Sequence, residues 1–160
     1  MESRAKLLGH PVHQMLVPFP FGLLGMAVIF DVLSLIFQTP TWSTVSYWMI
    51  AAGLVSGVIA APFGVMDWLS IPSRTRAKRI GAIHGVGNLF VLVLFFTSWT
   101  RRGTGIAYND AYALVLSFVG LGIALVTGWL GGELVDRLGI GVDPGANLDA
   151  PNSLSTRRAA

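Results

Sequence analysis

Gly9-His10-Pro11-Val12-His13-Gln14-Met15-Leu16-Val17-Pro18-Phe19-Pro20 stands where a polar head gives way to an apolar run that continues to Phe37. The stretch holds two of the chain's three histidines and three of its eight prolines. Residue type supports two readings: metal or cofactor chemistry at a membrane boundary, or an N-terminal cap that happens to contain histidine. The run that follows decides between a soluble and a membrane fold.

The 160 residues are 53% hydrophobic and 12% charged, with a mean hydropathy of +0.65 and 19 glycines. Soluble domains carry roughly 25% charged residues, so most of this surface faces something other than water. There is no cysteine, which excludes disulfides, thiolate metal sites, cysteine-held iron–sulfur clusters and a cysteine nucleophile. Arg4 and Lys6 before an apolar run imitate a signal peptide, but Pro18 and Pro20 interrupt the run and no small-x-small cleavage site follows. The segment is therefore expected to be retained.

Three further apolar segments follow the first, so that the four lie near residues 16–37, 45–69, 81–99 and 111–134. Each approaches the roughly 20 residues needed to cross a hydrocarbon core. Backbone groups in lipid must be satisfied within a helix or a closed barrel, and the alternation of barrel strands is absent. The expected fold is all-α: an integral membrane four-helix bundle over residues 1–135, with a short interfacial segment at its start.

Orientation follows from the cations. The first link, Gln38 to Thr44, is uncharged, whereas the second carries Arg74, Arg76, Lys78 and Arg79. The positive-inside rule places that second link in the cytoplasm, and an even number of spans then puts both termini beside it. Arg4, Lys6, Arg137, Arg157 and Arg158 fall on the same side, leaving only Arg101 and Arg102 outside. Trp42, Tyr47, Trp48, Trp68, Trp99, Tyr108 and Tyr112 fall near expected helix ends, as an interfacial belt requires. From Asp136 the composition turns to Gly, Asp, Pro, Asn and Ser, so residues 136–160 are read as a short, partly disordered cytoplasmic tail. The expected location is a bacterial cytoplasmic membrane, crossed several times.

Small residues recur at close-packing spacing: Gly53 and Gly57 with Ala61, Gly81 with Gly85, and Gly128 with Gly132. Helix packing explains them without any further function. Pro62 frees the carbonyl of Val58 and is expected to bend the second helix before Asp67. Pro18 and Pro20 are expected to break the start of the first span into a short piece beneath the bundle.

The topology gathers chemistry on one side. His10 and His13 precede the first helix, Asp67 ends the second, His84 begins the third and Glu133 ends the fourth, so all five approach the cytoplasmic face. Imidazole with carboxylate suits zinc, iron or manganese, and neutral imidazole suits haem iron. His10 and His13 share one side of a helical turn if Pro11 takes the first helical position. Against this, His84 can simply bond the neighbouring chain, and Asp67 and Glu133 can pair with Arg76, Lys78, Arg79 or Arg137. The order histidine, helix, helix, acid occurs twice, from His13 to Asp67 and from His84 to Glu133. Two parallel hairpin repeats would explain it.

Asp31 stands apart as an acid inside the first apolar segment, where ionisation is costly. It should face the bundle and find a partner, either Asn88 or Thr127 or, by depth, Ser46 or Tyr47. A proton or ion path is the functional alternative.

The opening stretch, followed by Asp31, the Gly64 to Asp67 step, Gly81 to His84 and Gly131-Gly132-Glu133-Leu134-Val135, resembles the domain of unknown function 2231 family of predicted bacterial membrane proteins. The resemblance spans about residues 7–135, and its histidine-proline-x-histidine opening is the specific part. It implies functional positions at His10, His13, His84, Asp31, Asp67 and Glu133. Some relatives resemble this domain joined to a Rieske-type iron–sulfur module, which implies electron transfer at the cytoplasmic face. This chain has no such module, so redox work would need a haem, another metal or a separate redox partner.

Three functions are carried forward. In the first, His84 and one N-terminal histidine hold haem b or iron for electron transfer. In the second, His10, His13, His84, Asp67 and Glu133 bind a non-haem divalent metal ion such as zinc, manganese or iron. In the third there is no cofactor, and the chain is a membrane scaffold or accessory subunit that forms a homo-oligomer or joins a larger membrane complex. The lipid bilayer is a partner in each. Nucleic acid is not, because topology and anionic lipid account for Arg74 to Arg79. No nucleophile and base constellation licenses an enzyme class.

Overall fold

The computed structural model describes residues 1–103 and 110–155. A two-stranded antiparallel hairpin comes first, β1 (Lys6–Leu7) with β2 (His10–Pro11). Its turn places Leu8 and Gly9 at positive φ. The helices follow as α1 (Val12–Leu16), α2 (Pro18–Phe37), α3 (Pro40–Ser70), α4 (Arg76–Arg102) and α5 (Ala111–Gly132). A π-helical turn, Glu133–Arg137, extends α5.

Among the described residues, four spans are long and apolar enough to cross a membrane: Val12–Phe37, Pro40–Ser70, Arg76–Arg102 and Ala111–Arg137. They include every expected segment and most run past it, because a helix continues into the headgroup region after its apolar stretch ends. Polar and charged ends such as Arg76, Arg79, Arg101 and Arg102 are thereby helical. The prolines near the start do less than expected. Val17 keeps a helical backbone, its N–H bonds the His13 carbonyl and its own carbonyl accepts from Phe21, so α1 and α2 form one span. Pro62 lies inside α3, which continues through it to Ser70.

The bundle is built from two hairpins. Helix α2 packs chiefly on α3 and α4 chiefly on α5, while α3 with α4 and α2 with α5 join the pairs. Leu24, Ala27, Val28, Ile50, Val91, Phe95 and Ala124 form the main core. Glycine sets the closest approaches. A Cβ on Gly53 would lie 2.6 Å from Leu24, and one on Gly120 would lie 2.8 Å from Phe95. These are matching contacts in the two hairpins, second helix against first. A smaller cluster of Ile71, Ala77 and Leu134 closes the end that carries the termini.

That terminal face is covered by the chain's own ends. The Met1 ammonium donates to the Gly139 carbonyl and the Gly141 N–H donates to the Met1 carbonyl. The described part of the tail runs on through turns, several held by Asp143, Asn147 and Asn152 side chains. Of the residues used above to assign orientation and the aromatic belt, Tyr108, Arg157 and Arg158 lie outside the described residues. At the far end Tyr47 stacks on Trp99 and Phe30 on Trp42, with ring centroids 5.4 and 5.7 Å apart.

Candidate functional site

Of the five residues expected to share one site, His13 and His84 lie close enough to interact electrostatically, whereas His10, Asp67 and Glu133 occupy separate settings. His10 sits exposed on β2, its Nε2 3.4 Å from the Ser153 hydroxyl. His13, on α1, turns into its own hairpin. Its Nδ1 lies 3.0 Å from the Ala60 carbonyl on α3, and its ring rests on Gly64, where a Cβ would be 2.6 Å from Cε1. A carbonyl can only accept, so Nδ1 carries a proton, and Nε2 is left for another partner. Among the described residues that nitrogen has no hydrogen-bond partner.

His84 repeats this arrangement in the second hairpin. Its Nδ1 donates to the Thr127 carbonyl at 2.8 Å, and its ring rests on Gly131, 3.2 Å from a built Cβ. Here the second nitrogen is also used. The Asn88 amide lies 3.2 Å from Nε2 and also donates to the His84 carbonyl, while Asn88 Oδ1 accepts from the Thr127 hydroxyl. His84 is therefore a neutral imidazole that ties α4 to α5, and it lies within α4 rather than at its start.

The acids have partners of their own. Asp67 is buried, and its Oδ1 accepts from the Ser3 hydroxyl at 2.6 Å and the Arg4 N–H at 3.1 Å. The N-terminal segment is thus pinned beneath α3 by hydrogen bonds rather than by any of the cations expected as partners. Glu133 does take one of them, Arg76, at 2.6 Å. Among the described residues no three His, Asp or Glu side chains come together as a metal site needs. Of the expected gathering of His10, His13, His84, Asp67 and Glu133, the two histidine clasps lie near each other, His10 stands exposed, and the two acids are separately paired.

The strongest polar site lies toward the opposite end and includes a residue missed in the sequence. Arg102 lies at the end of α4, 7% exposed, and Asp31 on α2 is 0% exposed. The guanidinium is bidentate on the carboxylate, Nη1 to Oδ1 at 2.6 Å and Nη2 to Oδ2 at 2.7 Å. Nη1 also reaches Ser46 on α3, and Nη2 reaches Ser117 on α5, at 3.1 and 3.0 Å. Ser98 on α4 accepts from the same group and lies 2.8 Å from Ser117. All four spans meet at one ion pair. The partners expected for Asp31 were hydroxyls and amides. Ser46 belongs to the cluster, but the direct partner is Arg102, read in the sequence as a charge of the outer link. The forked guanidinium matches the carboxylate with two parallel hydrogen bonds, the geometry that best offsets the cost of burying such a pair.

The molecule is thus a four-span α-helical membrane protein made of two similar hairpins, with a buried ion pair toward the end opposite its termini and histidine clasps nearer those termini. It belongs to the DUF2231 family, described as predicted membrane proteins, whose match covers residues 9–144. No curated protein and no solved structure matches the chain.

Proposed function

We propose that this protein is a cofactor-free membrane scaffold or accessory subunit in a bacterial cytoplasmic membrane, with both termini in the cytoplasm. One observation carries this reading: His84, the residue any shared haem or metal site would require, already uses both ring nitrogens to join α4 and α5. Asp67 and Glu133 are likewise committed to holding the terminal face together. A ligand set would have to give up these bonds before it could bind an ion. Open glycine positions on the lipid side, Gly22, Gly85 and Gly122, have nothing within 4 Å of a built Cβ. They offer close approach to another helix, from a second copy or a larger complex. Cross-linking in native membranes followed by mass measurement tests this. Discrete assemblies are expected, and a strictly monomeric species at native abundance would contradict the reading.

A second reading has two observations in its favour: Nε2 of His13 has no hydrogen-bond partner among the described residues, and His13 lies near enough to His84 to interact with it electrostatically. In it, His13 and a His84 released from Asn88 supply imidazoles for haem b or iron in electron transfer, or for another divalent ion, with a separate redox partner. The donor set in its present arrangement does not fit that role. Spectroscopy and metal content on one purified sample separate the two readings.

A further inference from the structure

We propose that the terminal face carries a binding site for the phosphate of an anionic phospholipid, formed by Arg76, Arg79 and Arg137 around Glu133. The ion pair of Arg76 with Glu133 draws the start of α4 against the π-helical turn. Arg79 lies about one turn beyond Arg76 along α4, and Arg137 lies about one turn beyond Glu133 along the π-helical segment, so the sequence puts a cation on either side of the pair. Both are exposed, and neither has an ion pair among the described residues. Asp136 is the other acid of the turn, and Arg74 adds a cation beside Thr75, so the edge remains net positive.

Helix energetics point the same way. Arg76, Lys78 and Arg79 occupy the first turn of α4, which contains no acidic residue. Cations there oppose the helix dipole, and an anion beside them would relieve that repulsion. Lys78 has an internal solution: its ammonium bonds the Trp68 carbonyl and lies 3.9 Å from the Trp68 ring centroid. Arg79 and Arg137 have none. Their place at the end of a membrane span, where headgroups lie, makes a lipid phosphodiester the fitting anion.

The test uses the full chain purified in a neutral detergent, titrated with phosphatidylglycerol, phosphatidylcholine or inorganic phosphate, and read by native mass spectrometry and thermal stability. Phosphatidylglycerol should bind and raise the melting temperature, while phosphatidylcholine and inorganic phosphate should not. The double variant Arg79→Gln/Arg137→Gln, which keeps the Arg76–Glu133 pair, should weaken phosphatidylglycerol binding about thirtyfold, the effect of two surface cations. Arg101→Gln, on the opposite face, should bind as the parent does. Equal binding of phosphatidylcholine, equal stabilisation by inorganic phosphate, undiminished binding by the double variant, or an equal loss in Arg101→Gln would each overturn the proposal.

Discussion

Arg102 and Asp31 join α4 to α2 through two parallel hydrogen bonds of 2.6 and 2.7 Å, with Ser46 and Ser117 of the other two spans and Ser98 of α4 accepting from the same guanidinium. Such a pair need not add net stability over a well-packed apolar replacement, because two charges must first leave water or headgroups. Its asymmetry is what matters. Removing one partner strands the other charge in the bundle, whereas removing both does not.

Asp31→Leu or Arg102→Leu alone should therefore destabilise the bundle by about 3–5 kcal/mol. The double variant Asp31→Leu/Arg102→Leu should recover a large part of that loss. Denaturation in mixed micelles measures all three. A double variant as unstable as the sum of the singles would show that the pair does not act as a unit.

Glycine substitutions should divide by environment. Gly53→Ala and Gly120→Ala press a methyl group into Leu24 and Phe95 and should cost about 1–3 kcal/mol. Gly132→Ala, with open space around it, should be neutral or stabilise by roughly 0.5–1 kcal/mol, as alanine does in a helix interior. Melting temperatures in one detergent decide this, and equal effects at the three sites would contradict the packing assignment.

The cap of α5 should titrate. The Ala113 N–H bond holds the Asp110 carboxyl below its ordinary range, slight burial opposes this, and Arg101 and the Tyr112 N–H lower it further. The carboxylate accepts from both N–H groups and pairs with Arg101 at 2.9 Å. A folded-state value below the unfolded one means that the contribution is complete above the ordinary carboxylate range and is lost as pH falls through the lowered value. Asp110→Asn keeps a capping oxygen but removes this dependence, whereas Asp110→Ala should cost about 1 kcal/mol at neutral pH. Melting curves from neutral to strongly acidic pH check the sign: the parent should lose more stability on acidification than Asp110→Asn.

The four spans were legible because length and hydropathy are one-dimensional properties, and Val12 to Arg137 states them four times. Partner choice is a property of depth and rotation, and there the reading of Asp31 failed. Arg102 follows Trp99 and Arg101 in what reads as an outer link, yet one more turn of α4 carries it inside. The repeat was half legible. His13 with Ala60 and Gly64 matches His84 with Thr127 and Gly131, but counting on from the glycines pairs Asp67 with buried Leu134, not Glu133. Chain order suggested matching acids, whereas the glycine contacts place them one residue out of step. The N-terminal clasp of Ser3 on Asp67 gave no sequence signal, since serine near an end is common and its partner is distant in the chain.

The most direct test is an optical spectrum with metal analysis on one sample of the parent and of His84→Gln, purified from cells supplied with iron and haem precursors. A cofactor-free bundle predicts no Soret band and metal far below one ion per chain in both, with His84→Gln melting lower because the bond to Thr127 is lost. A Soret band, or iron near one per chain in the parent that disappears in His84→Gln, would contradict the account.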